Sequence, residues 1–137
     1  MKANWLYRIA AVLLGLFSAG HTLGFRQVDP HWGIEALVAS MQSVQFDVQG
    51  FSRTYYDFYA GFGLFVSVLL LFAALVCWQL AAVNAATLRS LSFLSWSLVV
   101  CFVGVTFLSW KYFFMVPLVF SAAITICLFA AALSARK

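Results

Sequence analysis

The chain has 137 residues, of which 65% are apolar, 18% aromatic and only 9% charged. Ordinary soluble domains carry about 25% charged residues, so a water-soluble globule is excluded, and a mean hydropathy of +1.00 marks lipid as the main solvent. The net charge of +4 is the balance of eight basic over four acidic residues, and the basic ones stand singly or in pairs at the ends of apolar runs, which is the pattern of membrane anchors and topology signals and not of a nucleic-acid surface.

A helical crossing takes about 20 apolar residues, which leaves room for four spans, one substantial loop and no soluble catalytic domain beside them. The first predicted span covers residues 6–25. Lys2 and Arg8 precede it, and its Phe17-Ser18-Ala19-Gly20 stretch resembles a cleavable signal. The run continues through Thr22-Leu23-Gly24-Phe25, which predicts a retained span. Ala11, Gly15 and Ala19 form a small-residue stripe on it, with Gly20 and Gly24 as a GxxxG alongside, the means by which helices approach closely in lipid.

The connection that follows, residues 26–54, carries its own signals. Asp29-Pro30 predicts a helix start, with Asp as N-cap and Pro at the first helical position. Ile34, Leu37, Val38, Met41 and Val44 then recur at helical spacing, predicting a short amphipathic helix on the outer membrane face or over the bundle mouth, ended by Gly50.

The second span, residues 60–83, is announced by a capping box at Thr54-Tyr55-Tyr56-Asp57, in which hydroxyl and carboxylate satisfy each other's free backbone N–H groups. Phe51, Tyr55, Tyr56, Phe58 and Tyr59 surround it as an outer aromatic belt; Trp110, Tyr112 and Phe113 supply a second belt, and Trp5 and Tyr7 are assigned to the inner surface. Tight turns at 84–89 and 111–112 lead into spans at 91–110 and 113–133, so neighbouring helices are expected to be antiparallel. Pro117 falls early in the fourth span, where it is either tolerated or bends the helix. Cys77, Cys101 and Cys127 each lie in a different apolar run and read as buried thiols.

These elements predict an all-α membrane protein: one four-span antiparallel transmembrane helix bundle over residues 1–137, with a short amphipathic helix in its first outer loop. With the termini cytoplasmic, the inside holds Lys2, Arg8, Arg89, Arg136 and Lys137 and the outside only Arg26, Arg53 and Lys111, the orientation favoured by the positive-inside rule.

An ionisable side chain at membrane depth is a functional suspect, and His21 is the only strong one. It is predicted to lie below the outer edge of the first span, where the topology can also gather Asp57, Tyr55, Tyr59, Arg53, Arg26 and Lys111 around a ligand pocket, with the loop helix as its lid. In an enzymatic version His21, oriented by a carboxylate, would transfer a proton on an apolar substrate. The plainer alternative is that His21 packs between helices, Asp57 only caps, and the basic residues meet headgroups. No cofactor is expected: a haem held between helices needs a second His in a facing span, a metal site lacks ligands, and no Asp or Glu follows Asp57 to serve a proton-coupled transporter.

Gly20-His21-Thr22-Leu23-Gly24, then Met41, then the run from Phe46 through Gly50-Phe51-Ser52-Arg53-Thr54-Tyr55-Tyr56-Asp57-Phe58-Tyr59-Ala60-Gly61-Phe62-Gly63 resemble a group of small bacterial four-helix integral membrane proteins of unknown function, with a GHT in the first helix and GxxRTYxDFYxGFG opening the second. The resemblance implies the fold and a bacterial inner-membrane setting and supplies no activity. Two expectations for function follow. One is a protein that binds a lipid-like or other apolar small molecule at the outer end of the bundle. The other is a non-catalytic accessory or assembly subunit, docked through its small-residue stripe on a membrane protein partner or on a second copy of itself.

Overall fold

Backbone N–H and C=O groups that have no water to bond must pair within their own segment, and each of the four apolar runs is accordingly helical. The computed structural model describes residues 2–136, and the chain is 82% helical. In order it forms α1 (Lys2–Gly24), a 3₁₀ turn (Pro30–Trp32), α2 (Glu35–Ser43), β1 (Gln45–Val48), β2 (Phe51–Thr54), α3 (Tyr55–Ala82), α4 (Ala85–Ser90), α5 (Ser92–Tyr112) and α6 (Met115–Ala135). The helices α1, α3, α5 and α6 are long and apolar enough to cross a membrane. Two compact units share α1 and α3: residues 1–17 with 70–137, and residues 18–69.

The first unit contains the apolar core. Leu14, Cys77, Leu88, Ile124 and Leu128 are fully buried in it. Alanines at positions 3, 10 and 11 of α1, 73, 74 and 81 of α3, and 131 and 132 of α6 belong to the same cluster, small side chains that allow close helix contact in lipid. Asn4 ties α1 to the end of α3, its amide donating to the carbonyls of Ala81 and Val83 at 2.9 Å each. Those carbonyls lie at a helix C-terminus, where no backbone N–H is left to bond them. A second tie joins α5 and α6: the Thr106 and Thr125 hydroxyls meet at 2.9 Å, and Thr125 donates to the Phe102 carbonyl at 3.0 Å.

Four details of this unit depart from the sequence reading. Tyr7 is fully buried and not an interfacial residue. Cys101 faces outward, because it sits on the uncovered side of α5. Residues 84–89 are not a bare turn: Asn84 accepts the Thr87 N–H as an N-cap, Ala85–Ser90 wind into α4, and Leu88 anchors it in the core. The turn before α6 is Phe113-Phe114, so Pro117 is the third helical residue of α6, inside the first turn where its missing N–H removes no bond.

The second unit contains the long connection. Asp29 does cap a helical start, its carboxylate accepting the His31 backbone N–H at 2.9 Å, but the helix is a single 3₁₀ turn. Gly33 ends it in the left-handed region at φ 62°, a conformation that glycine adopts without a steric penalty. The amphipathic helix therefore starts only at Glu35, with Ile34, Val38 and Met41 half-buried along one face and Leu37 and Val44 exposed. Beyond it, where the sequence reading has only a break at Gly50, β1 and β2 form an antiparallel hairpin in which Val48 pairs with Phe51. Gln49 and Gly50 turn the chain with φ of 51° and 84°, the double positive φ that matches the twist of a two-residue hairpin.

Asn4→Ala leaves two carbonyls unbonded and is expected to cost about 1–2 kcal/mol, read as a lower thermal midpoint in detergent. The Asp29 carboxyl is held below the usual carboxylate range, first by the His31 backbone N–H and then by the His31 ring. Its contribution to the 3₁₀ turn is therefore fully present above the ordinary carboxylate pKa of about 4 and is lost as pH falls through the depressed value. An NMR titration should show the His31 amide shifting in that acidic window, and Asp29→Asn should remove the transition.

Candidate functional site

Between α1 and α3 the second unit is joined by a seam of polar and aromatic side chains. On α1 and its end, Ser18, His21, Thr22 and Phe25 recur at spacings of three and four, which puts them on one face. On α3, Tyr59, Gly63 and Ser67 do the same. Ser18 donates to the Ser67 carbonyl at 2.8 Å, and His21 Nδ1 is hydrogen-bonded to Ser67 Oγ at 3.0 Å. One level along, the Phe25 ring stacks on His21 with centroids 5.2 Å apart and packs on Tyr59 at 5.9 Å, while the Tyr59 hydroxyl donates to the Phe25 carbonyl. Gly63 makes this possible, since a Cβ there would run into the Phe25 ring. The seam thus satisfies a ring nitrogen of His21 and the free carbonyl of Phe25 with groups from the neighbouring helix.

At the start of α3 the capping box is formed as read from the sequence. The Thr54 N–H donates to Asp57 Oδ2 at 2.8 Å, and the Asp57 N–H donates to Thr54 Oγ1 at 3.1 Å. An open groove of about 260 Å³ begins here, lined by Arg53, Asp57, Phe58, Gly61, Phe62 and Phe65. Phe58, Phe62 and Phe65 follow one another at centroid distances of 6.4 and 6.5 Å, a row of rings running away from the two charged residues. Gly61 leaves the space beside them open, with nothing within 4 Å of where its Cβ would be. Arg53 donates to the Ser52 carbonyl at 2.6 Å and lies over the Phe51 ring, making no ion pair with Asp57.

The residues expected to share one pocket are therefore distributed over separate places. His21 is level with Ser67, and Asp57 lies ten residues earlier on α3, about 15 Å along the axis at 1.5 Å per residue. The structure does not bring the two together. Arg53 and Asp57 border the groove, Tyr59 belongs to the seam, and Tyr55 stacks on Phe46 at 4.9 Å. Arg26 lies over the Phe25 ring, and Lys111 lies over Tyr112 in the other unit. Sequence reasoning does not single out Ser18 or Ser67. A usable signal exists: Ser67 is the only hydroxyl between Tyr59 and Gln79, one helical turn after Gly63.

Among the described residues no three His, Cys, Asp or Glu side chains gather in a way that could hold a metal ion. No protein-family model, curated protein or solved structure matches this chain.

Gly63→Ala forces Phe25 off its position and is expected to destabilise the seam by about 1–3 kcal/mol, the usual cost of overpacking. Gly61→Ala, which adds the same methyl in open space, should leave the thermal midpoint nearly unchanged. Equal midpoints for the two variants in detergent would mean that Phe25 is not held as described.

Proposed function

We propose that this multi-pass membrane protein binds an amphiphilic, lipid-like molecule in the groove on α3, with the apolar part along Phe58, Phe62 and Phe65 and the polar end between Arg53 and Asp57. The carrying observation is the pairing of two opposite, unbridged charges with a row of aromatic rings in one groove. Such convergence of a few polar groups on an apolar wall is the usual build of a small-molecule site. The groove is smaller than the roughly 300 Å³ at which sites for whole drug-sized ligands begin, which suits a molecule whose remainder stays in lipid. On this reading His21 secures α1 to α3 through Ser67 and is not the proton-transfer group. The setting proposed is a bacterial inner membrane with both termini cytoplasmic, which puts the groove on the outer side in agreement with the distribution of basic residues.

The accessory-subunit reading keeps one observation of its own. Of the expected stripe, Ala11 is buried in the core, Gly15 is half-buried and only Ala19 is exposed, so the face open to a partner helix is Ala19 with the neighbouring Gly20 and Gly24.

Native mass spectrometry of the gently solubilised protein separates the two. A stoichiometric small amphiphile on the wild type, lost in Gly61→Leu and weakened about fivefold or more in Phe62→Ala, supports the groove. Gly61→Leu fills the groove without meeting existing atoms at its Cβ, so a folded Gly61→Leu protein that retains the molecule overturns the assignment. A stoichiometric second polypeptide released by Gly20→Leu, with no bound small molecule, carries the accessory reading instead.

A further inference from the structure

The side chains of the first unit are charged in only one sense. It contains all of the eight basic residues except Arg26 and Arg53, and no Asp or Glu, since Asp29, Glu35, Asp47 and Asp57 all belong to residues 18–69. No side-chain carboxylate of this unit is therefore available to neutralise its arginines. Two of them meet at one cavity of about 210 Å³, lined by Leu88, Arg89, Ser92, Ser95, Ala132, Ala135 and Arg136. Arg89 stands in the last turn of α4 and Arg136 at the C-cap of α6, positions where helix dipoles favour cations. The Arg136 guanidinium is braced over the Trp96 ring, 4.7 Å from its centroid.

The remaining wall of the cavity favours an anion. Ser92 is the first residue of α5, a 21-residue helix whose cap residue, Leu91, supplies no side-chain hydrogen bond. Its positive end lacks a side-chain cap beside the cavity, and helix N-termini attract anions, although the C-terminus of α4, which shares Leu91 as its cap, offsets part of that field. Ser95 also lines the cavity, but it is fully buried and its hydroxyl donates to the Leu91 carbonyl at 3.2 Å, so the donors toward an anion are the two arginines and the free N–H groups of α5. By counting crossings, the link between the second and third spans and the end of the fourth lie on one side of the membrane, so Arg89 and Arg136 both stand at a membrane surface.

We propose that this cavity is a binding site for a phosphate-bearing anion, held by Arg89 and Arg136 together with the N-terminus of α5. The volume accommodates a headgroup and not a whole lipid, and planar guanidinium forks match phosphate oxygens in pairs. This site is separate from the α3 groove and does not depend on the reading given for it.

The test is native mass spectrometry of delipidated full-length protein titrated with dioleoyl phosphatidylglycerol, with dioleoyl phosphatidylcholine and inorganic phosphate as the other probes. The expected result is one tightly held phosphatidylglycerol, weakened about fivefold by Arg89→Gln or Arg136→Gln and about thirtyfold by both together, with Lys111→Gln unchanged. Displacement of phosphatidylglycerol by millimolar inorganic phosphate assigns the site to a soluble phosphate; retention assigns it to the lipid headgroup. Equal affinity for phosphatidylglycerol and phosphatidylcholine, or a double variant that binds like the wild type, overturns the proposal. Should the arginine variants fail to fold, Ser92→Glu puts a carboxylate at the cavity rim in a position favourable to α5. That variant is expected to bind at least tenfold more weakly, and wild-type affinity in it equally overturns the proposal.

Discussion

A helix in lipid cannot leave a hydroxyl or carbonyl to water, and this constraint organises most of the polar chemistry of the molecule. Hydroxyls on the long helices turn back onto their own chain four residues earlier: Thr22 to Ser18, Ser95 to Leu91, Ser97 to Phe93 and Thr106 to Phe102. A few reach across instead, and those few mark where helices are tied. Ser18 bonds the Ser67 carbonyl, the Thr125 hydroxyl lies within bonding distance of both the Phe102 carbonyl across the gap and the Ser121 carbonyl of its own helix, and Asn4 closes the end of α3. Because lipid tails are as apolar as leucine, helices gain little from hiding greasy faces from one another. Small side chains and these cross-helix bonds supply the specificity that a hydrophobic core supplies in water.

The two units meet that constraint differently. In residues 1–17 and 70–137, alanines let helices approach and the polar ties sit at the edges of an apolar cluster. In residues 18–69 the only buried side chains are Ser18 and Ser67, and the contact around them is a polar seam finished by aromatic stacking on Phe25. Gly63 shows how narrow the tolerance is, since its missing Cβ is the space occupied by a ring from the other helix. The aromatic residues near the start of α3 follow from the same logic at an interface. Tyr55 and Phe58 cover Phe46 of the hairpin, while Phe62 and Phe65 remain exposed and form the groove.

Charge is distributed as sharply as polarity. Every side-chain carboxylate lies in residues 18–69, and five basic residues lie over an aromatic neighbour: Arg8 over Trp5, Arg26 over Phe25, Arg53 over Phe51, Lys111 over Tyr112 and Arg136 over Trp96. Such contacts hold a cation at an interface without a counter-ion. They leave arginine donors available for groups from outside the chain, which is the basis of both proposed binding sites.

Composition and periodicity alone determined the number of long helices, their all-α character and the capping box at Thr54–Asp57. These features are local: a run of 20 apolar residues has one solution in lipid, and a capping box involves residues three apart. The hairpin at 45–54 had a local signal too, a Gln-Gly pair between alternating residues, but it was masked by the helical spacing just before it. Tertiary structure decided the rest. Tyr7 belongs to the core because of what packs on its face of α1, and Ser67 became the partner of His21 because Gly63 lets Phe25 settle between the helices. His21 on α1 is level with Ser67 of α3, and Asp57 stands about 15 Å away along α3 because helical rise separates positions 57 and 67. Spacing along one chain states which residues share a face, but which face meets which neighbour depends on side-chain fit across helices far apart in sequence.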